Sequence, residues 1–471
     1  MKVIDRSVFR EYDIRGIWGK NIDAEFSFKL GVAFGRYLKE KLKKSSVRVS
    51  VGYDARHSST AIFDALTDGL SHEGVKVIDI GLVPTPVQYF SLFQLRLDGG
   101  VMITASHNPK EYNGFKLSLK TETLFGEKIQ QLADIMEKLN LSWHEKKDKD
   151  VEKIDIKSMY YDYMEKQFEH LKEHKNKPRF ALDGGNGVAG FVGYEIFKRL
   201  GFEVESLFIE PDGDFPNHHP DPTVDENLMD LRSVIKSKEL EFGIGYDGDG
   251  DRIGVVLKDG SPLYGDQLLL LLAQELCGRK KGAKVILDVK CSDVVFELLK
   301  KAGCKPIMYK TGHSLIKDKM KSEGAPLAGE MSGHIFIADN YFGYDDAIYV
   351  SLRLVDIITT KGVDILEWKN SLPPVYNTPE IRIECPEDKK MGVIEEFKKI
   401  LKKNSRKIGV LEMNTIDGVR FKTDKGFGLV RASNTQPVLV LRFEASSKEH
   451  LELLKEFTLK TTEELINKDE Q

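Results

Sequence analysis

The chain has 471 residues, too many for a single compact core, so we expect several domains. Charged residues make up 31% of the sequence and hydrophobic residues 41%, a balance that is typical of a folded globular protein and excludes a largely disordered chain. The 70 lysines and arginines stand against 74 acidic residues, and the resulting net charge of -4 excludes a general electrostatic attraction to nucleic acid or to an anionic membrane.

The four cysteines lie far apart and form no C-x-x-C pair, so we expect reduced thiols and neither a zinc site nor a disulfide framework. The first six residues lack the apolar core of a signal peptide. The longest leucine run, Leu268–Leu272, is far shorter than the roughly 20 apolar residues of a membrane helix. These features favour a cytoplasmic protein with neither a membrane nor a nucleic-acid partner.

The N-terminal part of the chain alternates predicted strands and helices. Val47–Val51 is a predicted strand, and an amphipathic helix pattern from Thr60 to His72 leads to a second strand, Val75–Ile80. A further helical stretch precedes the strand Gly100–Ile103. This alternation predicts a parallel α/β sheet with helical connections.

Two later segments begin in the same way. Arg179–Asp183 and Ala283–Asp288 are strand-like runs that lead into a loop and then a helical pattern. From about residue 371 the order changes to a helix, several short strands and a final helix, Lys448–Ile466, which is typical of an α+β domain. The repeated plan predicts three related α/β units before a different C-terminal one.

We therefore predict an α/β protein with three related mixed-sheet domains followed by a smaller α+β domain, around a central cleft. The proposed domains cover residues 1–150, 151–258, 259–370 and 371–471.

An acidic loop, Asp247–Arg252, carries carboxylates at alternate positions with glycines between them. It follows the predicted strand Phe242–Gly245, and α/β sheets bind their ligands at the carboxyl ends of strands. Such oxygen ligands suit Mg²⁺ or Ca²⁺ better than zinc. An EF-hand would need glycine where Arg252 stands and glutamate where Lys258 stands, so calcium sensing is disfavoured. The alternative is an ordinary acidic surface turn.

A second loop, Thr104–Pro109, follows the strand that ends at Ile103. Its Asn-Pro pair favours a turn that presents Ser106 at the tip. The loop has no G-x-S-x-G pattern, so it does not indicate a Ser-His-Asp hydrolase, and alone it could be a simple turn. A phosphorylated Ser106 would carry roughly two negative charges and would suit an open position on the metal site.

Four loops occur in the order found in one known enzyme family: Thr104–Pro109, Asp247–Arg252, Gly329–His334 and Arg431–Pro437. They resemble the phosphoserine, metal, sugar-recognition and phosphate-binding loops of the α-D-phosphohexomutase family, and in particular its bacterial phosphomannomutase/phosphoglucomutase branch. Two further segments are similar to family segments: Phe9–Gly16 and Phe215–Pro220. The resemblance covers nearly the whole chain.

The resemblance implies a mutase that interconverts hexose 1-phosphates and hexose 6-phosphates, of mannose, glucose or both. The reaction would pass through phosphorylated Ser106 and a hexose 1,6-bisphosphate, which is both intermediate and activator. The implied metal is Mg²⁺, held by Asp247, Asp249, Asp251 and Ser106. The implied partners are the hexose phosphate substrates, and we expect a monomer or a weak homodimer.

The resemblance also implies roles for individual residues. The implied catalytic residues are Ser106, His107, Lys116, Arg15 and Arg252. The implied substrate-binding residues are Tyr12, Lys290, His313, Glu330, Ser332, His334, Arg431, Ser433, Asn434 and Thr435. The general base stays open among His107, Lys116 and His334, because an arginine stays protonated. A buried structural role is the alternative for Lys290 and His313, and a surface ion pair for Tyr12, Arg15 and Lys116.

Other functions fit parts of the pattern. The nearest is a mutase of the same fold that acts on glucosamine phosphate or acetylglucosamine phosphate, although Met331 between Glu330 and Ser332 favours the mannose/glucose branch. A metal-dependent sugar phosphatase would use Ser106 for hydrolysis and would release phosphate steadily. A non-catalytic sugar-phosphate sensor would carry no phosphate on Ser106.

Overall fold

The computed structural model describes residues 4–144, 151–434 and 436–467. It divides into two compact units: Met1–Leu272 with Ser332–Trp368, and Ala273–Met331 with Lys369–Gln471. Within the described part of the chain, we find no helix with both the length and the apolar character that a membrane crossing requires.

The first sheet lies in the first unit. Its strands are β1 Ile14–Ile17, β2 Arg48–Tyr53, β3 Lys76–Leu82, β4 Gly99–Ile103, β5 Tyr112–Leu119, β6 Glu122–Thr123 and β7 Val151–Lys153. The accompanying helices are α1 Ala24–Leu42, α2 Ser59–His72, α3 Thr85–Gln94 and α4 Glu127–Glu137. The strand order is β1-β5-β4-β2-β3-β7, with β6 paired to β5. Strand β2 is parallel to β3 and β4, whereas β5 is antiparallel to β4 and β1.

The core of this sheet sets the position of two loops. Leu30 and Phe34 of α1, one helical turn apart, pack with Val49 of β2 in a single hydrophobic cluster. In the parallel pair β2 and β4, Tyr53 lies opposite Ile103. The segments that follow these two strands therefore leave the sheet at the same edge.

The second sheet of the first unit has the order β12-β11-β10-β8-β9. Its elements are α5 Ile156–Gln167, β8 Phe180–Asp183, α6 Gly190–Arg199, β9 Val204–Leu207, α7 Met229–Lys238, β10 Phe242–Tyr246, β11 Ile253–Leu257 and β12 Pro262–Leu263. Strand β8 is parallel to β9 and β10, and β10 is antiparallel to β11. The rings of Phe180 and Phe242 stack with their centroids 5.0 Å apart, which fixes β8 beside β10. The acidic loop joins β10 to β11.

Helix α8, Gly265–Arg279, follows β12, and three parallel strands come next in the second unit. The elements are β13 Lys284–Asp288, α9 Asp293–Lys301, β14 Lys305–Tyr309, α10 His313–Glu323 and β15 Leu327–Gly329. Strands β14 and β15 pair with opposite sides of β13. The chain then adds β16 Ile335–Ile337 and α11 Ala347–Lys361 to the first unit, before α12 Ile365–Asn370.

The C-terminal part of the second unit is a mostly antiparallel sheet with helices. Its elements are β17 Tyr376–Asn377, β18 Ile381–Glu384, α13 Lys390–Lys403, α14 Ser405–Ile408, β19 Glu412–Asn414, β20 Val419–Lys422, β21 Gly426–Ala432, β22 Val438–Ala445 and α15 Lys448–Ile466. The order is β17-β22-β21-β20-β19, with β18 also paired to β22. Phe397 of α13 and Leu454 of α15 join Phe421 and Leu441 of the strands in one core. The predicted α+β order and the final helix are confirmed.

One expectation about the cysteines is wrong. Cys277 at the end of α8 and Cys304 just before β14 form a disulfide, with their Cα atoms 5.7 Å apart. We expected reduced thiols because no pair is close in sequence, but these two are brought together by folding across 27 residues. The other two cysteines, Cys291 and Cys385, are buried as thiols.

Candidate active site

Ser106 lies in a tight turn after β4. Its backbone N–H donates to Thr104 Oγ1 at 2.8 Å, and the N–H of Asn108 donates to the carbonyl oxygen of Ala105 at 2.9 Å. Ser106 has a φ of 50°, a left-handed conformation that is uncommon for a residue with a side chain. The turn thus holds a buried hydroxyl in a strained backbone, a feature often found at functional sites.

The acidic loop curls around one of its own carboxylates. Asp247 Oδ1 accepts the backbone N–H groups of Gly250, Asp251 and Arg252 at 3.0, 3.0 and 3.1 Å. As a result Asp247, Asp249 and Asp251 are all buried, and one ligand atom of each lies within 4.8 Å of those of the others. The alternative of an acidic surface turn does not fit this burial.

The serine turn and the acidic loop are in direct contact. Ser106 Oγ donates to Asp247 Oδ2 at 2.9 Å. A Cβ atom on Gly248 would lie 2.4 Å from the carbonyl oxygen of Ser106, so only glycine allows this close approach. The structure therefore brings together the hydroxyl and the carboxylates that the sequence singled out.

Lys116 provides a fixed positive charge beside these carboxylates. It lies in β5, and its Nζ donates to Asp249 Oδ2 at 2.6 Å and to Asp251 Oδ2 at 2.5 Å. Although burial opposes the charged form, the two aspartates raise the pKa of Lys116 well above its ordinary value. Thr85 Oγ1 also donates to Asp249 Oδ2, at 2.5 Å, and so helps to orient that carboxylate.

The carboxylate cluster fits a hard divalent cation. Asp249 Oδ1 and Asp251 Oδ1 are buried and accept no hydrogen bond from the part of the chain that the structure describes. Buried carboxylate oxygens of this kind need a positive partner. Burial and the two neighbouring aspartates raise the pKa of Asp247 well above its ordinary value. For Asp251, neighbouring positive charge, chiefly that of Lys116, outweighs burial and lowers the pKa. These residues could therefore hold a metal ion.

Arg252, at the end of the acidic loop, is oriented by a histidine and a buried aspartate. Its Nε donates to His334 Nε2 at 2.9 Å, and His334 Nδ1 lies 3.0 Å from Asp345 Oδ2. Because Nε2 accepts a hydrogen bond from Arg252, the proton of the ring lies on Nδ1, which donates to Asp345. Both nitrogens of His334 are thus engaged in orienting Arg252.

His107 is the histidine nearest to the serine hydroxyl. Its Nδ1 lies 3.0 Å from Ser106 Oγ. Burial, together with the positive charges of Arg252 and Arg15, lowers the pKa of His107 well below its ordinary value. The ring is therefore neutral at neutral pH. Because the hydroxyl proton of Ser106 goes to Asp247, Nδ1 carries the ring proton and is placed to give it to Oγ.

Tyr12 lies just before the first sheet, and Arg15 lies in its first strand, β1. Arg15, in β1, donates from Nη1 to Asn108 Oδ1 at 2.5 Å and forms a close ion pair with Asp13. Its Nε is buried and has no hydrogen-bond partner among the described residues. Tyr12 is buried. Arg15 is thus held against the serine turn with one donor unused, and it is not part of a surface ion pair.

Glu330, Lys290 and His313 lie in the second unit. Glu330 Oε1 accepts the backbone N–H of Gly312 at 2.6 Å, and Lys290 Nζ donates to Glu380 Oε1 at 2.8 Å. Lys290, His313 and Glu330 are all buried. Ser332, by contrast, belongs to the first unit, as does His334.

The candidate phosphate loop begins with the last two residues of β21 in the second unit. Arg431 Nε donates to Asp417 Oδ2 at 2.9 Å, and the N–H of Ser433 donates to the carbonyl oxygen of Val438 at 3.0 Å. Asn434 follows Ser433 in the same loop. The predicted residue Thr435 lies outside the described residues.

Several residues that support the site escaped the sequence reasoning. They are Arg56, Thr85, Asp345, Glu380, Lys390 and Asp417. A usable signal existed for Arg56, which comes shortly after β2. Strands β2 and β4 are parallel neighbours, so polar residues after β2 lie near the serine turn after β4. The others lie 11 to 164 residues from their partners in the site, outside the motifs, and leave no local pattern.

Four domain models of one protein family match the chain. Phosphoglucomutase/phosphomannomutase alpha/beta/alpha domains I, II and III match residues 6–142, 158–260 and 264–376, and the C-terminal domain matches residues 380–461. The chain belongs to the phosphoglucomutase/phosphomannomutase family. The resemblance that the four loops indicated is confirmed, and so is the predicted fold class of related α/β domains followed by a different C-terminal domain.

Curated members of the phosphoglucomutase/phosphomannomutase family match over almost their full length. The phosphomannomutase/phosphoglucomutase of Pseudomonas aeruginosa is 43% identical over 449 residues, which cover 95% of this chain and 94% of that protein. The phosphoglucomutase of Neisseria gonorrhoeae is 43% identical over 453 residues, which cover 96% of each.

Solved structures of the family agree with this assignment. A phosphoglucomutase/phosphomannomutase family protein from Burkholderia thailandensis superposes with a TM-score of 0.87, 38% identity and coverage of 98% of both chains. The N-acetylphosphoglucosamine mutase of Aspergillus fumigatus has a TM-score of 0.57 and 17% identity, covering 81% of this chain and 93% of that one. At 17% identity, the similarity to the Aspergillus fumigatus enzyme shows a shared fold alone.

Proposed function

We propose that this protein is a metal-dependent phosphohexomutase that interconverts the 1-phosphates and 6-phosphates of glucose, mannose or both. The observation that carries the proposal is the 2.9 Å hydrogen bond between Ser106 Oγ and Asp247 Oδ2, which joins a nucleophile to a buried carboxylate cluster. The substrates of the relatives from Pseudomonas aeruginosa and Neisseria gonorrhoeae, as their names give them, support the choice of sugar.

The metal in this proposal is Mg²⁺, which prefers oxygen ligands. Asp247, Asp249 and Asp251 would hold it, together with an oxygen on Ser106. When bound, the ion would neutralise charge on the transferring phosphoryl group.

In the first half-reaction the phosphoryl group leaves Ser106 Oγ and is transferred to a free hydroxyl of the bound hexose monophosphate. The hydroxyl loses its proton, Ser106 Oγ regains one, and a hexose 1,6-bisphosphate is formed. In the second half-reaction, Ser106 Oγ loses its proton and takes the other phosphoryl group from this intermediate, and the released sugar oxygen gains a proton to give the isomeric hexose monophosphate. Arg252 and Lys116 supply positive charge near the reacting phosphorus, and such electrostatic stabilisation can provide much of the catalysis of phosphoryl transfer.

Among the three candidates for the general base, His107 has the most suitable contacts. Its Nδ1 lies 3.0 Å from Ser106 Oγ, within reach for direct proton exchange. Lys116 donates to two aspartates, and both nitrogens of His334 have partners, so these two residues serve better as a fixed charge and a positioning group.

The remaining predicted residues would bind the parts of the substrate that do not react. Arg431, Ser433 and Asn434, with Thr435, would bind the second phosphate through charge-assisted and neutral hydrogen bonds. Glu330 and Ser332 would recognise adjacent sugar hydroxyls, since a carboxylate accepts two hydrogen bonds at once. Further contacts would come from Tyr12, Lys290 and His313, while Arg15 would act as a fixed positive charge beside the serine turn.

The test is the substitution Ser106→Ala. The variant should lose phosphate exchange between glucose 1-phosphate and glucose 6-phosphate by about a thousandfold or more, because no phosphoserine can form. Intact-mass analysis should find a covalent phosphate on the wild-type protein and none on the variant. Ser237→Ala, which removes an exposed hydroxyl on α7, serves as the control and should keep full activity. Near-normal exchange in Ser106→Ala would overturn the proposal.

The same assay separates the related functions. Mannose 1-phosphate, glucose 1-phosphate and glucosamine 1-phosphate are compared as substrates at equal concentration. We expect the first two to be converted faster than the third. A preference for glucosamine 1-phosphate would indicate a phosphoglucosamine mutase, and steady release of inorganic phosphate without isomer exchange would indicate a phosphatase.

A further inference from the structure

A buried arginine outside the predicted site binds the backbone of the serine turn. Arg56 follows β2, and its side chain is fully buried. Its Nη2 donates to the carbonyl oxygens of Ser106 at 2.8 Å and Asn108 at 2.6 Å. Its Nη1 donates to the carbonyl oxygens of Pro109 at 2.6 Å and Tyr112 at 3.0 Å. One guanidinium therefore binds four carbonyl groups of the seven-residue segment from 106 to 112.

The remaining donor of Arg56 is also used within the protein. Nε donates to Asp54 Oδ2 at 3.1 Å, while Asp54 Oδ1 accepts the hydroxyl of Ser59 at 2.7 Å. A guanidinium has five N–H donors in a fixed plane, and here all of them have protein acceptors. Arg56 thus has no donor left for a substrate, and a lysine, with three donors on one nitrogen, cannot reproduce the arrangement.

The surroundings of Arg56 keep the guanidinium in place. Its Cζ lies 5.3 Å from the centre of the Phe215 ring. A Cβ atom on Gly213 would lie 2.5 Å from the carbonyl oxygen of Ala55, so the segment that carries Arg56 packs closely against the segment before Phe215. Asn113, in the strand that follows the serine turn, donates from Nδ2 to the hydroxyl of Ser59 at 3.0 Å. Ser59 in turn binds Asp54, so this contact links the strand to the partner of Arg56.

The contact with Ser106 is made where the backbone is strained. The carbonyl of Ser106, which accepts from Arg56, belongs to the residue with a φ of 50° and faces Gly248 of the acidic loop. The direction of this carbonyl and the direction of Oγ are coupled through the same Cα. Releasing the carbonyl would let the turn relax and would change the distance from Ser106 Oγ to Asp247.

We propose that Arg56 is a positioning residue for phosphoryl transfer, which fixes the strained turn of Ser106 against the acidic loop without touching the substrate. This inference rests on the proposed mutase function. It predicts that loss of Arg56 affects the chemical step and leaves substrate binding nearly unchanged, because none of the predicted substrate-binding residues is among the hydrogen-bond partners of its guanidinium.

The experiment compares wild type, Arg56→Lys and Arg56→Ala in glucose 1-phosphate to glucose 6-phosphate conversion, with rates expressed per folded molecule. We expect kcat to fall about tenfold or more in Arg56→Lys and about a hundredfold in Arg56→Ala, with KM within about twofold of wild type. Added guanidinium chloride at millimolar concentration should restore part of the kcat of Arg56→Ala. A general loss of stability would produce neither this division between kcat and KM nor the rescue.

Arg232→Lys is the matched control. Arg232 also binds two backbone carbonyls of the first unit, those of Gly260 at 2.8 Å and Asp225 at 3.0 Å, and it lies outside the predicted site. The kcat of the Arg232→Lys variant should equal that of wild type. Unchanged kcat in both Arg56 variants, a parallel change in kcat and KM without rescue, or failure of both variants to fold would each overturn the inference. Absence of conversion by wild type and Arg232→Lys would instead overturn the proposed function.

Discussion

Asp346 is a buried carboxylate whose protonation depends on the pH near neutrality. It caps the start of α11, where Oδ1 accepts the backbone N–H of Tyr349 at 2.9 Å, and Oδ2 accepts the hydroxyls of Tyr160 at 2.8 Å and Tyr341 at 2.6 Å. Burial raises the pKa of Asp346 to about 6, even though these hydrogen bonds favour the charged form. The ordinary value is 3.8, so the folded protein holds this proton more tightly than the unfolded chain does.

This difference predicts a loss of stability as the pH rises. Between the two pKa values the folded state binds more protons than the unfolded state, so the contribution is complete below about pH 4 and is lost as the pH rises through about 6. From pH 5 to pH 8, Asp346 should cost about 1 kcal/mol of unfolding free energy. Asp346→Asn keeps a helix cap but cannot ionise, so its stability relative to wild type should improve by that amount. Urea unfolding at the two pH values measures the change.

Tyr160→Phe provides the control for this prediction. The variant keeps Asp346 but removes one hydrogen bond that favours the charged carboxylate. The pH-dependent loss should therefore remain and should move to higher pH. An equal pH dependence in wild type and Asp346→Asn would show that another group is responsible.

At the scale of the structural elements, helix α13 supports the candidate phosphate loop. Lys390, at the start of the helix, is buried, and its Nζ donates to the carbonyl oxygens of Ser433 at 2.7 Å and Gln436 at 3.1 Å. The backbone N–H of Gln436 in turn donates to Ser433 Oγ at 3.2 Å. A buried ammonium thus closes the loop whose polar groups would bind the second phosphate.

We expect Lys390→Met to weaken substrate binding more than catalysis. The variant should raise the KM for glucose 1-phosphate about tenfold, the effect of losing roughly 1.4 kcal/mol from the charge-assisted hydrogen bonds that order the loop. Its kcat should stay within about threefold of wild type, because Lys390 is remote in sequence and in its contacts from Ser106. Steady-state kinetics measures both constants.

Lys399→Met is the matched control on the same helix. Lys399 is largely exposed and forms an ion pair with Glu396, about one turn away on α13. The KM of this variant should equal that of wild type. If Lys390→Met also left KM unchanged, the loop would not depend on the buried ammonium.

For the molecule as a whole, metal binding should connect activity with global stability. A cation that binds the folded carboxylate cluster and not the unfolded chain stabilises the protein by mass action. At a Mg²⁺ concentration of about 100 times Kd, the thermal midpoint should rise by on the order of 5 °C. Treatment with a chelator should lower the mutase activity at least tenfold, and added MgCl₂ should restore it. Calorimetry and the exchange assay check the two effects.

Two variants make this prediction specific. Asp249→Asn should lose most of the stabilisation by Mg²⁺, because Asp249 belongs to the buried cluster. Asp214→Asn should keep the stabilisation by Mg²⁺, because Asp214 lies outside the buried cluster. Together with His57 and Asp212 it forms a separate, exposed group of possible metal ligands. The prediction is wrong if both variants respond to Mg²⁺ as wild type does.

Much of the fold and part of the site could be predicted from local sequence. The predicted helix Thr60–His72 corresponds to α2, and the final helix Lys448–Ile466 is α15, because apolar spacing and turn residues act within a few positions. The loops with Ser106 and Asp247 follow strands β4 and β10, as expected from the same local signals. The domain boundaries and the roles of the predicted site residues stay predictions.

The sequence by itself determined the order of the elements and the family, and it supplied the candidate groups for the chemistry, since these depend on short motifs. Only the tertiary structure decided which distant residues hold these loops and elements in place. Arg56 binds the turn of Ser106 from 50 residues away, and Cys277 pairs with Cys304 across 27 residues. Such contacts form when packed elements bring distant side chains within a few ångströms, and no local pattern records that distance.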